Sequence, residues 1–384
     1  MEEFLREISI AAPTMGSEEI EEITKSIKSG WLTQGPKVLE FENQFAELHK
    51  AEYALATTNC TSALYLVLKA MGVGPGDEVI VPSFTWVATA NVVMHCGARP
   101  VLVDVDRESF NIDLDEVKDR TTKNTKAVIP VDLFGLCVDI EALRNLLPDG
   151  IAIIEDAACA VGASFRGNPA GSLGDAAAFS FHPRKVITTG EGGMVTTNNF
   201  ELFKELQILR NHGASVSEEV RHGSSAPYLL PDFEHLGFNF RMTDLQGAIG
   251  LVQMKRLPTL INDRQLGASI YNEAFKEIEW IKIPETPEDF SHSWQSYVLY
   301  IDPLKAPMYR NEIMEQLHVR GISSRPGTHA VHMLGFYRNS LGCKPEDFPN
   351  SRDCHENSLA IPIHSQMSQS DYEYVIDALV SITA

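Results

Sequence analysis

The sequence predicts an α/β protein with a mainly parallel sheet covered on both faces, followed by a smaller α+β domain. Three observations carry this. The near-continuous apolar runs EVIVP, PVLVDV, AVIPVDLFG and IAIIEDAA alternate with amphipathic stretches between residues 78 and 158, the pattern of strands buried beneath helices on both sides. A chain of 384 residues exceeds what one hydrophobic core usually organises. Beyond Pro258–Asp263, strands such as QSYVLYI alternate with helices such as MYRNEIMEQLHVRG. We therefore expect a large domain over residues 1–260, N-terminal helices included, and a small one over 261–384.

Taken in order, Ser17 is placed to cap a first helix with Ile20, Ile23 and Ile27 on one face, ended by Gly30. A second helix sets Val38, Phe41, Phe45 and Leu48 at core spacing. Both stripes read as core. A short strand, Tyr53–Ala56, runs through TTNCTS into the helix ALYLVLKAMG. Further helices are expected at Ala88–Cys96, Leu114–Arg120 and Ile140–Leu147, and at Phe200–Arg210 with Leu202, Phe203, Leu206 and Leu209 inward. Residues 212–236 are rich in Ser, Pro, Gly and charge and read as a long irregular excursion, with His222 and His235 as ordinary loop residues. A long helix then starts near Thr243. The last helix is expected from Asp371, with Ser370 and Glu373 as its capping box.

The formal charge of -20 argues against broad contact with a nucleic-acid backbone, since each phosphate contact would work against global repulsion. An anionic small molecule needs only a local pocket of donors. The six cysteines form no CxxC pair and no zinc spacing, so no metal is expected and reduced thiols in a cytoplasmic protein are. The N-terminus lacks the apolar region of a secretory signal, and no apolar run is long enough to span a bilayer.

The chemistry centres on the stretch from Phe179 to Thr196, with Lys185 between a strand end and the turn Gly190–Gly193. A partly buried lysine there can act as a nucleophile; by itself the stretch reads more readily as one more solvated lysine. Thr61 and Ser62 open a helix, where free N–H groups and hydroxyls suit a phosphate, although these residue types also simply cap helices. Trp86 and Asp156 lie at strand carboxyl ends, where such sheets bind ligands. Taken singly, the tryptophan reads equally as core and the aspartate as a turn cap. Together, a phosphate cradle, an aromatic plate, a buried carboxylate and an amine match what pyridoxal 5′-phosphate (PLP) requires: donors for its phosphate, a stacking surface, an acid partner for its ring nitrogen and a lysine for its aldehyde.

The motifs WLTQGPKV, TTNCTSAL, VGPGDEVIVPSFTWVATANVV, VDVD, IIEDAA, GSLGDAAAFSFHPRKVITTGEGGMV and LGFNFRMTDLQGAIG resemble the DegT/DnrJ/EryC1/StrS family of PLP-dependent sugar aminotransferases, in that family's order. The resemblance implies the aspartate aminotransferase-like fold (type I), with a mixed, mainly parallel seven-stranded sheet, and a homodimer with shared active sites. It implies Lys185 as the residue that carries the cofactor and later moves a proton, Asp156 at the pyridinium nitrogen and Trp86 on the ring. Thr61, Ser62 and Ser180 would hold the phosphate, joined by Asn239 from the partner subunit. Arg325, His329 and His332, in SSRPGTHAVHMLGFY, sit where relatives face the substrate, and read equally as an ion-pairing arginine and interface histidines. The implied reaction moves an amino group from an amino acid, glutamate by resemblance, to a nucleotide-linked keto-deoxysugar for deoxyaminosugar biosynthesis.

Two alternatives accompany it. A sugar dehydratase of the same fold carries histidine at the lysine position, whereas this chain has Lys185, with His182 three residues earlier. A non-catalytic relative would not need Lys185, Asp156 and Trp86 together. One departure stands out: Cys159 occupies a position where relatives have His or Gln, and a thiol is the weaker hydrogen-bond donor.

Overall fold

The computed structural model describes residues 6–214 and 232–382. Seven strands form one sheet: β1 (Tyr53–Thr57), β2 (Glu78–Pro82), β3 (Arg99–Val103), β4 (Thr125–Val128), β5 (Ala152–Asp156), β6 (Ala176–Ser180) and β7 (Gly193–Thr197). Their spatial order is β1-β7-β6-β5-β4-β2-β3. Only β7 runs against its neighbours; the remaining pairings are parallel. This is the mixed, mainly parallel sheet of the expected fold. Its strands are almost fully buried along their length, as their unbroken apolar sequences require.

The second sheet is built from β8 (Ile281–Lys282), β9 (Tyr297–Ile301), β10 (Arg325–Pro326) and β11 (Ser358–Ile361), in the order β8-β9-β11-β10. A single helix, Asp244–Phe275, serves both units, with Thr243 as its cap and Pro258 in its interior. Leu257 and Leu260 pack in the core beneath the large sheet, while Ala268, Tyr271 and Phe275 pack in the small one. The two cores do not divide cleanly at residue 260. Ile8 belongs to the small core, and Val331, Tyr337 and Phe348 belong to the large one.

Three local expectations are corrected. The first helix, Ser17–Ser29, is capped at Gly16, whose N–H donates to Glu19 Oε2 at 2.7 Å. The last helix, Gln369–Val380, is capped by Ser368 with Asp371, since Ser368 N–H reaches Asp371 Oδ2 at 2.8 Å. The isoleucine stripe of the first helix is not core in this chain: Ile20 is 66% and Ile27 57% exposed. That helix buries Glu19 instead, which pairs with Arg256 at 3.0 Å and accepts from Gln253 at 2.9 Å. The second helix, Pro36–Leu48, does bury Val38, Phe41 and Phe45, whereas its Leu48 is exposed. Residues 215–231 of the expected excursion, His222 among them, lie outside the described residues; His235 lies within them, 3.3 Å from Glu205. No helix among the described residues is long and apolar enough to cross a membrane, and all six cysteines are free thiols.

Candidate active site

Strand register assembles the site. Thr57, Gly193 and Ser180 lie in one row across β1, β7 and β6. Asp156, the last residue of β5, pairs with Ala178 two residues before Ser180. The chain leaving β1 turns directly into the helix Cys60–Ala70, so the helix start sits beside Gly193. There Asn59 takes the Ser62 N–H at 2.8 Å, so that amide is already engaged. The hydroxyls remain. Thr58 donates to Ser62 Oγ at 3.1 Å, leaving the Ser62 proton to point at an anion. Ser180 is buried at the neighbouring strand end.

Gly193 is required by close approach. A Cβ there would lie 2.4 Å from the Asn59 carbonyl carbon and 2.7 Å from Cys60 N, backbone atoms that cannot swing aside. Gly193→Ala is expected to destabilise the fold by about 2 kcal/mol and to weaken phosphate binding at this turn. Thermal melting and cofactor titration check this; an unchanged affinity and melting point would contradict the packing.

Asp156 is buried beneath the site. Its Oδ2 accepts from Thr89 Oγ1 at 2.8 Å and its Oδ1 from Ala158 N–H at 3.2 Å, with the Cys60 thiol 4.0 Å away. Burial raises its pKa, only partly offset by the Thr89 and Ala158 hydrogen bonds and by Lys185. A carboxylate so placed calls for a cation. Trp86 is 62% exposed despite its position at a strand end, so its indole face is open. The plate also has a neighbour: His329, on a short strand paired with Phe84–Thr85, lies 5.6 Å from it, centroid to centroid.

Lys185 Nζ donates to Cys159 Sγ at 3.1 Å. Burial pulls the lysine's pKa down, but the Cys159 sulfur, Cys60 and Asp156 outweigh burial and the pKa is raised. Sequence spacing gives no hint of this, because the thiols come from residues 26 and 125 positions away.

These groups fit PLP on their own geometry. Burial still disfavours the charged form of Asp156 despite Lys185 nearby, which a pyridinium would relieve; the indole face is open, and the Ser62 and Ser180 hydroxyls lie at the helix start and the strand end. The chain's own sequence agrees: residues 13–380 match the DegT/DnrJ/EryC1/StrS aminotransferase family. The chain belongs to that family. It is a PLP-dependent sugar aminotransferase of fold type I. Similar proteins include the spore coat polysaccharide biosynthesis protein SpsC of Bacillus subtilis, 39% identical over 96% of this chain and 95% of that one. GDP-perosamine synthase of Caulobacter vibrioides is 36% identical over 98% of each chain. Among solved structures, a Streptococcus pneumoniae protein in its PMP form matches with TM-score 0.91 at 30% identity, over 97% of this chain and 98% of that one; its PLP form is also solved.

The remaining expected positions separate. His332 is fully buried, with Nδ1 2.6 Å from Ser83 Oγ and Nε2 3.4 Å from the Pro345 carbonyl. Both nitrogens are engaged, so it packs a joint and offers no atom to a substrate. Arg325 lies exposed on the edge strand of the small sheet. Asn239 is exposed, bridged to Asn211, while Phe238 and Phe240 beside it stack on each other with centroids 5.0 Å apart. Two residues that the sequence did not single out are bonded to Asp156. Thr89 stands in the first turn of the helix Ala88–His95, three residues after Trp86, whose carbonyl is 3.2 Å from its hydroxyl. The other is Asp132: its backbone N–H donates to the Asp156 carbonyl at 3.1 Å, and its Oδ2 is buried without a partner. Burial first, and the nearby Glu155 second, push its pKa up and favour the neutral acid.

Proposed function

We propose that this aminotransferase moves an amino group from an amino acid, with L-glutamate as the donor, to the keto carbon of a nucleotide-linked deoxysugar. The observation that carries the reading is the Lys185 amine, 3.1 Å from Cys159 and electrostatically coupled to the buried Asp156. Two relatives support the sugar: one is named for spore coat polysaccharide biosynthesis, the other as GDP-perosamine synthase.

When bound, PLP supplies an aldehyde that accepts amines and a pyridinium that draws electrons from the reacting carbon. In our reading Asp156 holds the proton on the ring nitrogen, with Thr89 and the Ala158 N–H fixing its two oxygens. Trp86 covers the ring, and the Thr61, Ser62 and Ser180 hydroxyls hold the phosphate. Lys185 would hold the cofactor through its aldehyde and, when its amine is free, would carry the proton at the substrate carbon. His329, whose ring lies 5.6 Å from that of Trp86, would face the sugar. Arg325 and His332 are given no part.

The working unit we propose is a homodimer. Ile20, Ile27 and Leu39, the last at 54%, are exposed apolar residues that a second copy would cover, and the exposed Asn239 would reach the partner's phosphate in such a dimer.

The test has two parts. The purified protein is expected to be yellow, to bleach with borohydride and to gain cofactor mass on Lys185. Incubated with glutamate and a panel of UDP-, dTDP- and GDP-linked 3-keto and 4-keto sugars, it should aminate at least one, detected by mass. A panel left untouched would overturn the sugar substrate.

A further inference from the structure

The segment His292–Gln295 connects the small sheet to the catalytic loops in an unusual way. Ser293 Oγ donates to the carbonyl of Cys159 at 3.1 Å. Two residues on, Gln295 Nε2 donates to the carbonyl of Arg184 at 2.9 Å. One of these carbonyls belongs to Cys159 itself and the other immediately precedes Lys185. Their side chains are the pair that meet at 3.1 Å. A three-residue bracket from the far side of the chain therefore grips the backbone on both sides of that contact.

The bracket is itself held from several directions. Ser293 N–H donates to the Gly135 carbonyl at 2.9 Å. Trp294 adopts φ of 51°, a left-handed conformation disfavoured for a bulky residue. It is kept there by its N–H on His292 Nδ1 at 2.9 Å and by stacking on that imidazole, with centroids 3.9 Å apart. Arg264, buried in the long helix, donates to the carbonyls of Trp294 at 2.9 Å and Gln295 at 3.2 Å. Gly135, at φ of 105°, leaves the space for Ser293: a Cβ there would stand 2.2 Å from Ser293 Oγ and 3.2 Å from the Cys159 carbonyl oxygen. A strained backbone fixed by this many partners marks a place where position matters.

We infer that Ser293 and Gln295 are positioning residues that set where the Lys185 amine and the Cys159 thiol meet. The inference rests on Lys185 as the cofactor lysine. Neither Ser293 nor Gln295 reaches that amine through a side-chain contact; each acts through the backbone of the loop it holds. Removing the bracket frees the two loops separately, so the amine and the thiol lose their common register. A displacement on this scale slows steps that need a reacting group in place and leaves substrate binding largely alone.

The experiment uses the PLP-loaded full chain. Two quantities are read: the pH midpoint of the visible absorption band, which follows the proton on the lysine nitrogen, and the rate at which saturating L-glutamate bleaches that band. Ser293→Ala/Gln295→Ala is expected to bleach about tenfold more slowly, with an unchanged half-saturating glutamate concentration and a displaced midpoint. Ser293→Thr, which keeps the hydroxyl, should behave as wild type. A fully loaded double variant with wild-type rate and midpoint overturns the inference. Should the double variant not load, Gln295→Ala alone is read the same way, since its side chain is only half-buried and truncation leaves Ser293 in place; wild-type values there overturn the inference equally. Cofactor mass found on a residue other than Lys185 in the wild type removes the premise, a failure distinct from that of the bracket.

Discussion

Lys185→Ala is expected to lower turnover by about 10,000-fold, the combined loss of a nucleophile and of the acid–base group at the reacting carbon. The variant should still bind PLP, because the hydroxyls of Thr61, Ser62 and Ser180, the Trp86 face and the Asp156 carboxylate are untouched. Binding and chemistry thus come apart. Cofactor would co-purify or titrate in, but borohydride would fix none of it to the protein. Truncation also leaves a gap beside Cys159 where Nζ now lies 3.1 Å from the sulfur, and a small added amine such as methylamine should recover part of the rate. A loaded Lys185→Ala protein with full turnover would sink the assignment.

Asp156→Asn is expected to have two effects of opposite sign. Turnover should fall by about 1,000-fold, since an amide does not hold the ring nitrogen's proton against electron withdrawal in a buried site. Stability of the cofactor-free protein should rise. Burial raises the Asp156 pKa, so the folded state disfavours its charged form. This penalty is absent below the ordinary carboxylate range. It grows as pH rises from that range through the raised pKa, and remains in full above it. At neutral pH the amide removes it, and the cofactor-free variant should melt a degree or two higher, about 1 kcal/mol. The gap between variant and wild type should close on acidification. Adding PLP should stabilise the wild type more than the variant, because only the carboxylate gains a counter-charge. An apo variant less stable than wild type at pH 7 would show that Asp156 is not held against its charge.

Much of this architecture was legible in the chain. The unbroken apolar strands, the Thr243 cap of the long helix and the alternation of elements reflect periodicities of two and 3.6 residues, which are local properties. The chemical group at each strand end was legible for the same reason: Asp156 and Ser180 terminate apolar runs, and a parallel sheet aligns those ends on one side. Errors arose where a local signal had a distant competitor. Ile20 and Ile27 have core spacing, but Gln253 and Arg256, more than 230 positions on, pair with Glu19 and draw the polar face inward. His332 was open to two readings, substrate contact or interface packing, and a distant partner, Ser83, favours the second by engaging its imidazole.

By itself, then, the sequence determined the element types and the sheet's ligand-binding side, and it supplied the four groups proposed to hold PLP, because each depends on neighbouring residues and on a general rule of α/β topology. The tertiary structure decided the rest. It set the raised pKa of Lys185 through Cys159 and Cys60, the grip of Thr89 on Asp156, and the bracket of Ser293 and Gln295 on the catalytic loops. These are contacts between segments 67 to 134 residues apart for the hydrogen bonds of Thr89, Ser293 and Gln295. Hydrogen bonding and electrostatics fall off within a few ångströms, so their partners are fixed only once the chain has folded and the loops have met.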